Sequence, residues 1–136
     1  MADFNEAIKP VLQYEGGYVN DPDDNGGETY KGISRKFWPR WTGWQFIDVA
    51  KKQAGFPASL SKISGLQDSV LAFYRDNFWK PIGGDAVEHG EVAGLILDSA
   101  VNEGISTAVR RAQGICGFMP TGRVTPDLIT KLNSLV

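Results

Sequence analysis

Apolar residues recur along this chain at steps of three and four, the spacing of one helix face. Phe4, Ile8, Val11 and Leu12 share such a face, which predicts a helix over 4–15 with Asp3 as its cap and Gly16-Gly17 as its stop. Phe46 to Ala54 reads as a short helix closed off before Pro57. Leu66, Val70, Phe73, Tyr74 and Phe78 predict a longer amphipathic helix that ends before Pro81. Residues 91–102 are apolar nearly all round, which predicts a helix buried on every side. Ile105, Ala108, Val109 and Ala112 mark the next helix. Thr125-Pro126 supplies a cap and a first-turn proline, and Leu128, Ile129, Leu132 and Leu135 line the last helix. Residues 16–34 are dense in turn formers and read as a loop with a small hairpin near 18–33. The pattern predicts a mainly α fold.

Composition narrows the function. A chain of 136 residues fits one domain, and 42% hydrophobic residues exclude wholesale disorder. Net charge −2 lacks the basic surplus of a nucleic-acid groove, so no nucleic-acid partner is expected. No apolar run approaches the roughly 18 residues of a membrane span. The start, Met1-Ala2-Asp3-Phe4, lacks the basic and apolar regions of a secretory signal. The protein is therefore expected to be made in the cytoplasm, to act outside it only after release or export by other machinery, and to be a monomer. Cys116 is the single cysteine and His89 the single histidine. An internal disulfide and a zinc site of several His or Cys are thus excluded. No G-x-S-x-G surrounds a serine, so a hydrolase triad is not expected. Residues 82–136 number about 55, near the lower limit for a domain folding alone, and Gly83-Gly84-Asp85 is too short for a linker. One domain over 1–136 is expected, with helix 91–102 at its centre.

Several side chains carry candidate chemistry. Glu15 lies four residues after Val11 and three after Leu12, so it continues the apolar stripe. A carboxyl at a core edge and at the negative end of a helix is pushed towards its protonated form, which suits a general acid. The alternative is a surface glutamate in a frayed last turn. Asp21, Asp23, Asn25 and Gly26 match the opening of an EF-hand loop, but its twelfth position is Gly32 where a Glu is required. A turn is the simpler reading. Asp98 and Asn102 share a helix face, either satisfying core hydrogen bonds or lining a polar cleft near Glu15. Trp38, Trp41 and Trp44 either pack a core or stack on sugar rings. Gly43 between Trp41 and Trp44, and Pro39 before them, predict an irregular segment that leaves at least one indole exposed.

Together the strings Glu15-Gly16-Gly17-Tyr18, Asn20-Asp21-Pro22-Asp23-Asp24, Gly26-Gly27-Glu28-Thr29 and Gly32-Ile33-Ser34 resemble the N-terminal signature of glycoside hydrolase family 108. Members are N-acetylmuramidases, often prophage-encoded or described as secretion activator proteins. Phe78-Trp79-Lys80-Pro81, Asp98-Ser99-Ala100-Val101-Asn102 and Gly122-Arg123-Val124-Thr125-Pro126 resemble the family's peptidoglycan-binding segment. The resemblance implies a lysozyme-like α fold that cleaves the β-1,4 bond after N-acetylmuramic acid in peptidoglycan glycan strands, without a cofactor or metal. It implies Glu15 as the catalytic glutamate and Thr29 as the residue that positions water. Asp24, or else Asp21, is the second carboxylate. Tyr18, Asp21, Tyr30, Trp41, Trp44, Asp98 and Asn102 are the candidate substrate contacts. Tyr30-Lys31 stands where many members have Asn-Tyr. A lytic transglycosylase and a non-catalytic peptidoglycan-binding protein are the rival readings. Retention or inversion depends on the separation of the two carboxylates.

Overall fold

The computed structural model describes residues 2–15, 17–23, 25 and 27–135, with the backbone alone at Tyr14 and Glu15. Glu15 is thus described as a helix residue without its side chain, and Asp24 lies outside the described residues. The fold is mainly α with a small antiparallel sheet, as expected of the lysozyme-like class. Helix α1 spans Phe4–Glu15, followed by strands β1 (Tyr18–Asn20), β2 (Glu28–Tyr30) and β3 (Ile33–Ser34). Helices α2 (Gly43–Ala50) and α3 (Ser64–Tyr74) follow, then a π-helical turn at Arg75–Trp79. Helices α4 (Gly90–Glu103), α5 (Ile105–Ile115) and α6 (Pro126–Asn133) complete the chain.

Two compact units emerge, Met1–Val11 with Tyr74–Val136, and Leu12–Phe73. In the first, α1 buries Phe4, Ala7, Ile8 and Val11, the face its spacing predicts. Asp3 caps it: its carboxylate accepts from Asn5 N at 2.9 Å and its carbonyl from Ala7 N at 3.0 Å. Phe4 packs on Trp79 with centroids 5.5 Å apart, and Ala2 N donates to Val87 O at 2.8 Å. Residues 82–136 are therefore packed with the N-terminal segment. The α6 cap forms as its sequence predicts, Thr125 Oγ1 accepting from Leu128 N at 3.2 Å with Pro126 in the first turn.

Helix α4 departs from expectation. It buries only Ala93, Leu97 and Ala100, while Leu95 is 73% exposed. An all-round apolar helix was expected to have neighbours on every side. Instead its Val92–Leu95–Ile96 flank borders an open groove shared with Ile115 of α5 and Leu132 of α6.

The second unit holds the sheet, in order β1-β2-β3. Tyr18 pairs with Tyr30, Val19 with Thr29 and Asn20 with Glu28; Thr29 also pairs with Ser34. Lys31 (φ 47) and Gly32 (φ 82) form the two-residue β2–β3 turn, both with the positive φ that such tight hairpins require. Helix α2 starts three residues earlier than Phe46 and ends at Ala50. Its buried stripe is Trp44, Ile47 and Ala50, at helical spacing, and the polar run Lys51-Lys52-Gln53 continues only as turns.

Candidate active site

The hairpin is built from alternation. Glu28 and Tyr30 share one face of β2, and the register sets Asn20 and Tyr18 beside them. Tyr30 is buried (3% exposed), and its hydroxyl accepts from Gln67 Nε2 at 2.9 Å. Thr29 lies on the opposite face with Val19 and Ser34, and is half-buried. Lys31 N donates to Gly17 O at 3.2 Å, which ties the turn after β2 to the segment following α1.

A charged network anchors the Glu28 face. The Glu28 carboxylate accepts from Tyr18 Oη at 2.7 Å and Arg35 Nη1 at 3.1 Å, and pairs with Lys51 Nζ. Arg35 grips both oxygens of Asp48 at 2.7 and 2.8 Å, a bidentate pair. Burial pushes the Glu28 carboxyl up, but the bonds from Lys51, Tyr18 and Arg35 outweigh it and hold it below the ordinary range. Asp48 is held low chiefly by Arg35. Burial and the bond to Glu28 push the Tyr18 phenol up. Burial also lowers the Lys31 ammonium, which donates to Gln67 Oε1 at 2.8 Å. Glu28 is thus an ionised, fully engaged carboxylate and cannot serve as a proton donor.

The predicted site residues fall into groups. Tyr18, Asp21, Thr29 and Tyr30 gather on the sheet and its β1–β2 turn. Asp21 is exposed, and its Oδ1 accepts from Asp23 N at 2.9 Å, which builds that turn. The Asp24 assignment and the Glu15 side chain lie outside the described residues. Two substrate contacts need correction. Tyr30 is core, with its ring enclosed. Trp44 is also core, 2% exposed, because it begins the buried stripe of α2; its Nε1 donates to Trp38 O at 2.9 Å and Trp41 packs edge-on at 5.2 Å. Gly43 permits this approach, since a Cβ there would meet the Trp41 ring at 2.3 Å. Trp41 is half-buried, its Nε1 donating to Ser69 O at 3.1 Å. Asp98 is half-buried and Asn102 exposed, both on α4 in the other unit.

Sequence reasoning passed over Glu28, Arg35, Asp48 and Lys51. Glu28 sits two residues before Tyr30, so strand alternation alone marks it as sharing a face with an aromatic. It also passed over Phe37 (66% exposed) and assigned no contact to Trp38 (39% exposed), two aromatics of this unit that offer open rings. Among the described residues, no cluster of three or more His, Cys, Asp or Glu is placed to hold a metal ion. No described helix is long and apolar enough to cross a membrane.

Residues 8–104 match the family model of Glycosyl hydrolase 108. The chain belongs to that family. The match spans the second half of α1, the whole sheet and α4, so the network just described lies inside the glycosyl hydrolase 108 region. The chain is also similar in fold to the structure of Brucella abortus SagA, at 24% identity and a TM-score of 0.63 over 98% of this chain and 70% of that one. No curated protein matches the chain.

Proposed function

We propose that this protein is a peptidoglycan hydrolase that cuts the β-1,4 bond after N-acetylmuramic acid, with Glu15 as the general acid. The carrying observation is the junction of α1 with the hairpin. Glu15 is the last residue of α1, and the bond from Lys31 N to Gly17 O brings the end of that helix to the turn following Thr29. The negative end of the helix dipole disfavours an ionised carboxylate at Glu15 and favours the protonated acid. Glu15 protonates the leaving oxygen. Asp24, rather than the turn-building Asp21, stabilises the cation-like transition state or activates water. Thr29 holds that water. Tyr18 and Trp41, with the open ring of Trp38, border the sugar. The protein acts as a monomer and a single cooperative domain on cell-wall glycan after release or export.

The test is Glu15→Gln, which keeps size and hydrogen bonding but cannot donate the proton. It is expected to fold normally and to lose on the order of a hundredfold of activity on purified sacculi. Clearance near the wild-type rate would remove Glu15 from the acid role. Mass spectrometry of the released fragments separates the rival chemistries: reducing muramic ends support hydrolysis, and anhydro-muramic ends mean a lytic transglycosylase.

A further inference from the structure

Glu28 stands next to Thr29 in the family motif, yet the chemistry above gives it no task. Its side chain is 12% exposed, and it collects donors from three places: Tyr18 on β1, Arg35 after β3, and Lys51 just beyond α2. Arg35 is in turn fixed by Asp48 on α2, and Arg35 N donates to Glu28 O at 2.9 Å. Two carboxylates and two cations thus balance around one strand residue. Thr29 leaves the same strand from the opposite face. A clamp on the Glu28 face therefore fixes the rotation of β2 about its own axis and the direction of Thr29.

We propose that Glu28 is a positioning residue for the glycosidase, holding β2 against β1 through Tyr18 and against α2 through Arg35 and Lys51, so that Thr29 meets the glycan in one orientation. This rests on the reading of Thr29 as the group that holds water. An apolar residue would fill the same space, but charge-assisted bonds to three elements also set angle and register. Replacing Glu28 by Gln leaves Arg35 and Lys51 facing only Asp48, so the network gains an uncompensated positive charge and β2 loses its lock. Misplacement of a water-holding group on the order of 1 Å costs up to about a hundredfold in rate while ground-state binding is largely kept.

The experiment measures kcat and KM on purified glycan strands for the wild type, Glu28→Gln, Thr29→Ala and the double variant. Glu28→Gln should lower kcat about tenfold or more with KM within about twofold. Because Glu28 acts through Thr29, the double variant should be no slower than the slower single variant, within about twofold. A Gln variant with kcat within about twofold of wild type, or losses that multiply in the double variant, overturns the proposal. If the Gln variant does not fold, Lys51→Met removes one partner of the clamp; it should lower kcat with KM unchanged, and Lys51→Arg should restore it. An unchanged kcat in Lys51→Met overturns the proposal. If the wild type cuts no glycan, the functional reading fails, but the clamp itself is still read by amide exchange. Exchange at 18–20 and 28–30 should then rise about tenfold or more in Glu28→Gln, with α5 amides unchanged, and equal rates overturn it.

Discussion

The β-hairpin with α2 and the groove bordered by α4, α5 and α6 are held together by opposite means. The hairpin is tied by directed bonds: Glu28, Arg35, Asp48, Lys51 and Tyr18 form one network of hydrogen bonds and ion pairs. The α4–α5–α6 region is tied by aliphatic packing, with Leu97, Ala100, Val109, Leu128 and Leu132 buried. Directed bonds fix orientation, which a water-holding threonine needs. Aliphatic packing supplies stability with little angular demand, so it tolerates an open flank where Leu95 and Ile115 remain exposed.

The largest break in that comparison is removal of the packing partners. Residues 82–136 expressed alone lack Phe4, Ile8 and Trp79, which are buried in the same unit. The fragment is expected to show no cooperative thermal transition by circular dichroism. A sharp melt with sacculus binding would make the second half an independent module and would contradict the single-domain proposal. Next in size is Leu97→Ala, which truncates a fully buried side chain of α4 and should cost about 3 kcal/mol in denaturant unfolding. The matched change Leu95→Ala, on the open flank of the same helix, should stay within about 0.5 kcal/mol. Equal costs at the two positions would mean that the groove is closed in solution.

A smaller effect separates the two regions by acid. Glu28 and Asp48 have carboxyl groups held below their ordinary values, so their ionised forms favour the folded hairpin. That contribution is present above the unfolded carboxyl range of about 4 and is lost as pH falls through the lower folded values. Both groups are partly open to solvent, so the effect is modest. Amide exchange at 28–30 should accelerate on acidification below about pH 4, after correction for intrinsic rates, ahead of amides in α5. The acid response should shrink in Glu28→Gln. A uniform response across both units would contradict the electrostatic account of the hairpin.

Much of the helix content was legible because period and punctuation agreed. The Phe4–Val11 stripe between Asp3 and the glycine pair marked α1 to its observed bounds, and Thr125-Pro126 marked the start of α6. Other features depended on contacts that a linear pattern does not carry. Apolar residues all round α4 say nothing about which flanks receive neighbours. Pro39 and Gly43 read as breaks, yet Gly43 opens α2 and admits the Trp41 ring, so Trp44 went to the core. Tyr30 was a candidate sugar contact, but one step along the strand from Thr29 turns its side chain to the other face, where it is buried. Glu28 became meaningful only when Arg35, Asp48 and Lys51, distant in the chain, met it in space.

Fragment analysis of purified sacculi tests most directly whether Glu15, as a protonated acid, cleaves the glycan. Wild-type protein should release muropeptides with reducing N-acetylmuramic ends, detected by mass spectrometry, and Glu15→Gln should release on the order of a hundredfold fewer while remaining folded. Release of the same products at the same rate by the Gln variant, or binding of sacculi by the wild type with no fragments released, would contradict the account.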